Sequence, residues 1–257
     1  MTSSPAVELL AIPGLPVVAP GDDLAALIAA AMETSSRRPR AGDVVVVAQK
    51  IVSKAEDRFV DLATVTPSEE AQRLATEVGK DPRIVEVVLS ESTRVVRSRP
   101  NLMIMEHRLG MVMANAGVDH SNVTPAGGPD QLLLLPRDPD ASAARLRDAL
   151  TARFQVDLAV VISDSFGRAW RRGTVGVAIG SAGLPALVDM RGKPDLFGRT
   201  LEVTVVGFGD EIAAAAGLVM GQADEGQPVV LVRGLRWSAP VLPASELIRP
   251  SAEDLFR

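Results

Sequence analysis

The stretch Leu158-Ala159-Val160-Val161-Ile162-Ser163-Asp164-Ser165-Phe166-Gly167-Arg168-Ala169-Trp170-Arg171-Arg172-Gly173 decides how the chain is read. Its opening, Leu158 to Ile162, is continuously apolar and rich in β-branched side chains, which predicts a buried strand. Hydroxyls, a carboxylate, a glycine and arginines then crowd together. A strand that ends this way carries a carboxylate to the rim of a sheet, where open α/β folds place ligands. A carboxylate that holds a cation, beside guanidiniums that hold oxyanions, suits a metal–phosphate ligand. A strand followed by a turn with surface arginines accounts for the same residues.

Composition narrows the chemistry. The 257 residues, 47% of them hydrophobic, suffice for one large domain or two small ones sharing an interface. A formal net charge of −5 argues against nucleic acid or an anionic membrane as a bulk partner. The lack of cysteine excludes disulfides, thiolate catalysis and Cys-ligated metals, and fits a cytoplasmic protein. His107 and His120 are the only histidines, so a three-histidine zinc site is excluded. Tyrosine is absent as well, leaving Asp, Glu, Lys and hydroxyls for proton transfer and metal binding. The N-terminus lacks the pattern of a signal peptide, and no apolar run is long enough to span a bilayer.

Further strands are expected at Val7–Ile12, Val44–Ala48, Leu102–Glu106, Met111–Ala114, Val175–Ile179, Leu201–Phe208 and Val229–Val232. Helix starts are expected at Gly21-Asp22, at the capping box Thr66-Pro67-Ser68-Glu69, at Asp81-Pro82, at Asp138-Pro139 and at Asp210. A Pro/Gly loop spans Thr124 to Asp130, a turn Ser181-Ala182-Gly183, and a proline-rich tail from Trp237 is expected to lie over the surface. Strands and helices alternate irregularly, which favours a mixed α/β or α+β arrangement over a regular doubly wound sheet. There is neither a Walker A pattern nor a dinucleotide fingerprint.

Two more strand ends carry polar clusters. Gln49-Lys50-Ile51-Val52-Ser53-Lys54 follows the Val44 strand, and its lysines could neutralise a phosphate or protect an exposed strand edge. Asn115-Ala116-Gly117-Val118-Asp119-His120-Ser121-Asn122 offers hard oxygen donors among small residues, or an Asx-rich turn.

Taken together with Gly14-Leu15-Pro16 and Pro20-Gly21-Asp22-Asp23-Leu24, these motifs resemble the coenzyme F420:L-glutamate ligase family, from Gly14 through Val232-Arg233-Gly234. The resemblance implies an unusual mixed-sheet, non-Rossmann α/β fold, a homodimer, and GTP-dependent ligation. In that reaction the carboxylate of the deazaflavin phosphodiester F420-0 is phosphorylated by GTP, with magnesium or manganese assisting. L-Glutamate then attacks the acyl phosphate, and further γ-linked glutamate can follow. Carried over by motif, Asp119, Asp164 and Ser165 look like ligands of a two-metal site, with potassium a further candidate cation. Lys54 and Asn122 look like nucleotide contacts, with Gln49, Lys50 and the loop Gly14, Leu15, Pro16, Val17 beside them. Gly221 and Gln222 belong to the nucleotide region, and Arg168 and Arg171 are added as phosphate or substrate anchors. Residues 1–257 are expected to form a single ligase domain, open to division into two intertwined lobes, without the flavin-reductase-like domain that some members carry. Two other readings stand beside this one: a non-catalytic nucleotide- or deazaflavin-binding module, and the same chemistry on another acid acceptor.

Overall fold

The computed structural model describes residues 6–123 and 130–255; the Pro/Gly loop expected over 124–129 lies outside them. A five-stranded sheet runs β1 (Glu8–Ala11), β12 (Val229–Arg233), β2 (Val44–Ala48), β8 (Ala159–Gly167), β9 (Thr174–Ala182). Only β2 and β8 are parallel, so the sheet is mixed, as the irregular alternation implied.

Side chains alternate across each strand, and here both faces are covered. Val45, Val47, Val160, Ile162, Val229 and Leu231 pack under α1 (Leu24–Thr34) and α5 (Pro139–Phe154). Val44, Val46, Ala159, Val161, Val230 and Val232 pack under α6 (Phe208–Met220). That double burial is why these strands read as unbroken apolar runs.

A second core lies between β2 and β8 in sequence. It packs α3 (Glu69–Val78) and α4 (Pro82–Ser90) on the antiparallel sheet β4 (Ser92–Arg99), β5 (Leu102–His107), β6 (Val112–Ala114). The pair β3 (Phe59–Asp61) and β7 (Gln131–Leu133) lies beside it, and β10 (Val188–Asp189) pairs β11 (Val205–Val206). Among the described residues no helix is long and apolar enough to cross a membrane.

Several boundaries differ from expectation. The strand opening at Leu158 continues through Asp164 to Gly167, because β9 pairs with it past a register shift between Ile162 and Ser163. Helix α1 is capped by Asp23, since Asp22 is occupied with the Ala19 N–H. Ser68 caps α3, so Pro67 precedes the cap instead of opening the helix, and the Ser68 N–H goes to Glu86 of α4. Asp210 is inside the first turn of α6, where its carboxylate accepts from the Ala178 N–H of β9. The strand expected at Leu201–Phe208 shrinks to β11, with Val203 85% exposed. Ser181 and Ala182 still pair with β8, so the turn starts at Gly183. The proline-rich tail is anchored: Ala244 is buried, and its N–H donates to Asp140 on α5.

The segment leading to β3 is tied to the second core through a buried carboxylate. Glu91 Oε2 meets Arg58 Nη2 and Arg108 Nε at 3.1 Å each, and His107 Nε2 at 3.4 Å. His107 Nδ1 accepts from the Leu109 N–H, which leaves the ring hydrogen on Nε2, facing the carboxylate. Burial pushes the Glu91 carboxyl up, but His107, Arg108 and Arg58 together outweigh it and hold it at about 2.

A carboxyl held below its ordinary value contributes stability present above about pH 4.5 and lost as pH falls through about 2. Denaturant titrations of wild type and Glu91→Gln should therefore differ by on the order of 1–2 kcal/mol near neutrality, less than the full shift because solvent screens part of it, and converge in that window. Separately, a Cβ at Gly176 of β9 would stand 2.3 Å from the Ala213 carbonyl oxygen of α6. Gly176→Ala is expected to cost about 1–3 kcal/mol, measured as a lower denaturation midpoint.

Candidate active site

The parallel register carries Ala48 and Ser163 to the same edge of the sheet. There β2 passes directly into α2 (Gln49–Ala55), a helix where a lysine-protected strand edge was the alternative. Helical periodicity splits its polar residues between two faces. Gln49 and Ser53 turn inward, 2% and 0% exposed. Lys50 and Lys54, one turn apart, line a cavity of about 420 Å³.

Asp119 arrives by a different route. After β6 the backbone is left-handed at three successive residues, Asn115, Ala116 and Gly117, with φ of 49°, 52° and 66°. A left-handed residue other than glycine costs about 1–2 kcal/mol. Packing holds the turn: Ala116 is fully buried, and Lys80 Nζ donates to Asn115 Oδ1 at 3.1 Å. At Gly117 a Cβ would stand 2.9 Å from Leu135 Cδ1, so glycine is required by both conformation and space. Asp119 is then clamped to Leu133 by two backbone hydrogen bonds of 2.9 Å.

The side chain of Asp119 meets α2. Gln49 Nε2 donates to its Oδ2 at 2.7 Å, and Lys50 Nζ lies 3.2 Å from Oδ1. Burial raises its carboxyl, with Lys50 and Gln49 pulling against the rise. Asp164, on the stretch of β8 beyond its pairing with β2, has less support. Burial and the charge of Asp119 push it up to about 6, against the Ser165 N–H and Lys50. Lys54 is lowered by burial and by Lys50. The two carboxylates thus share one electrostatic neighbourhood although they are distant in sequence.

The loop after α6 closes the far wall. Gln222 Oε1 accepts from Ser165 Oγ at 2.8 Å, and Asn122 Nδ2 donates to the Ala223 carbonyl at 3.2 Å. Gln49, Lys50, Lys54, Asn122, Asp164, Ser165, Gly221 and Gln222 all line the cavity, with Asp119 behind Gln49 and Lys50. Gly14, Leu15, Pro16 and Val17 are not among the lining residues, and Val17 is 89% exposed. Arg168 and Arg171 stand exposed at the tip of the β8–β9 ribbon, where Arg168 reaches the Gly173 carbonyl. His120 is a loop side chain paired with Asp130 at 2.9 Å.

Sequence reasoning did not single out Ser163, Gly176, Gly217 or Glu225, which also line the cavity. Glu225 accepts from the Ala223 N–H at 2.8 Å, between left-handed Gly221 and Gly226. Those flanking glycines are the one signal in the sequence that marked this loop.

The donor set fits a hard divalent cation. Two carboxylates lie near enough for the charge of Asp119 to raise Asp164, with the Ser165 hydroxyl adjacent and no thiol in the chain. Among the described residues no group of three or more His, Cys, Asp or Glu could hold a metal ion. A cation here would therefore complete its shell with hydroxyl, water and phosphate oxygens, as magnesium sites commonly do.

Residues 14–234 match the family described as F420-0:Gamma-glutamyl ligase. A protein of Methanopyrus kandleri named coenzyme F420:L-glutamate ligase is 47% identical over 262 residues, covering 100% of both chains. Proteins of the same name from Methanothermobacter thermautotrophicus and Archaeoglobus fulgidus are 45% and 43% identical. The first alignment covers 98% of this chain and 99% of the relative, the second 98% and 96%. The family match spans both cores and every segment that meets at the cavity, and the chain belongs to the F420-0:gamma-glutamyl ligase family.

Proposed function

We propose that the protein adds L-glutamate to F420-0 in a GTP-driven reaction, and then further glutamate through γ-linkage. The observation that carries this reading is the meeting of Asp164, Lys50 and Lys54 at one cavity, with Asp119 held behind its wall by Gln49 and Lys50. A carboxylate is a poor electrophile, because its leaving group would be oxide. An oxygen of the acceptor carboxylate attacks the γ-phosphorus of GTP, and GDP leaves. The glutamate nitrogen then attacks the acyl carbon, phosphate leaves with the bonding pair, and the surplus amine proton goes to solvent.

Such transfer is accelerated chiefly by positioning and charge neutralisation. Lys50 and Lys54 supply positive charge for phosphate oxygens, and Asn122 and Gln222 fix polar edges of the bound nucleotide. Asp119, Asp164 and Ser165 would hold one or two magnesium or manganese ions, whose chemistry is to neutralise charge on the phosphates. A homodimer belongs to the same reading.

Incubation with F420-0, GTP, L-glutamate and Mn²⁺ should give products heavier by one or more glutamyl units, with phosphate released only when both acceptor and glutamate are present. GTP binding without any product would point instead to a binding module. Asp164→Asn removes a half-buried, under-compensated charge. It should raise the stability of the metal-free protein on the order of 1–3 kcal/mol at pH 7 and lower turnover at least about 100-fold. Undiminished turnover would exclude Asp164 from the metal site.

A further inference from the structure

Asp119 does not orient itself. Its Oδ2 takes a hydrogen bond from Gln49 Nε2, and Gln49 Oε1 in turn accepts from Ser53 Oγ at 2.9 Å. Gln49 is 2% exposed and Ser53 fully buried, so the contact between them lies on the inner side of α2. The chain has a definite direction. A carboxylate only accepts, so the amide must turn its NH₂ toward Asp119 and its oxygen toward Ser53. Among the described residues the serine hydroxyl is the donor to that oxygen. Ser53 is itself pinned, one turn after Gln49 on α2, and its carbonyl accepts from the Arg58 N–H at 3.0 Å.

We propose that Ser53 is a positioning residue for the metal site: through Gln49 it fixes the Asp119 carboxylate in the orientation that receives the cation. Partners behind a metal ligand commonly set ligand direction and basicity. Without the hydroxyl, the buried Gln49 oxygen loses its donor. The amide is then free to leave Asp119, whose Oδ2 loses its fixed bond.

The proposal rests on Asp119 as a metal ligand, and the test separates the two claims. Mn²⁺ affinity is measured by calorimetry, and the EPR signal of bound Mn²⁺ is recorded, for wild type, Ser53→Ala, Gln49→Ala, the double variant and Asp119→Asn. Ser53→Ala is expected to weaken Mn²⁺ about 10-fold or more and to alter the EPR line shape. In the Gln49→Ala background the same change should have no further effect, because the relay is already cut. Unchanged affinity in Ser53→Ala, or a full additional loss in the double variant, would overturn the role assigned to Ser53. If Asp119→Asn binds Mn²⁺ as wild type does, the metal reading itself falls, and the Ser53 proposal with it. Should Ser53→Ala fail to fold, Ser53→Cys keeps the volume with a much weaker donor, and the same cycle applies.

Discussion

The parallel contact between β2 and β8 governs the rest of the structure. It is the only parallel pairing in the main sheet, and it stops at Ala48 and Ser163. Two things begin where it stops. The β2 chain turns into α2 and delivers Gln49, Lys50, Ser53 and Lys54. The β8 chain goes on with β9 alone and holds out Asp164 and Ser165. An antiparallel pairing would send these two continuations to opposite ends of the sheet. Residues between β2 and β8 in sequence must then return to the same rim, and they bring Asp119 with them.

Placing two carboxylates in one electrostatic neighbourhood opposes folding, and the structure meets the cost unevenly. Asp119 has Lys50 and the Gln49 amide; Asp164 has chiefly a backbone N–H and is raised to about 6. A site that repels its own charges when empty would be relieved by a bound cation, and so would trade stability for binding. The left-handed turn before Asp119 adds backbone strain at the same place. Both are supported from behind. Arg58, whose N–H reaches Ser53 and whose Nε reaches the Leu135 carbonyl, ties α2 to the wall that packs against Gly117.

Much of the architecture was legible in the chain. Apolar runs such as Val44–Val47 admit little besides a strand covered on both faces, and Asp81-Pro82 and Asp138-Pro139 mark helix starts by local chemistry alone. What local pattern did not carry was decided by partners distant in sequence. The extension of β8 through Asp164 needs β9, and Asp210 gives up its capping role because Ala178 of β9 needs an acceptor. The Leu201–Phe208 run pairs as strand only at Val205–Val206, and most of it is not strand. At the site, the residue types stood out because the chain offers so few alternatives to carboxylate, lysine and hydroxyl. Their mutual arrangement did not, because a contact spanning 70 residues, such as Gln49 to Asp119, leaves no periodic trace.

The same distinction explains why Ser53 escapes a motif-based reading. Serine inside a helix has low intrinsic helix propensity and often bonds its own backbone. Here its hydroxyl donates to a side chain one turn back, and its meaning depends on what that side chain touches. A polar residue fully buried inside a short helix would destabilise it unless every hydrogen bond were met. The cost of burial therefore makes the Ser53–Gln49–Asp119 chain more demanding than any of its members alone. Removing a charge at the cavity surface leaves the others in place. Removing the most deeply buried hydroxyl unsettles the amide that holds the carboxylate, so the geometry of the site is decided one layer behind the groups that meet the ligand.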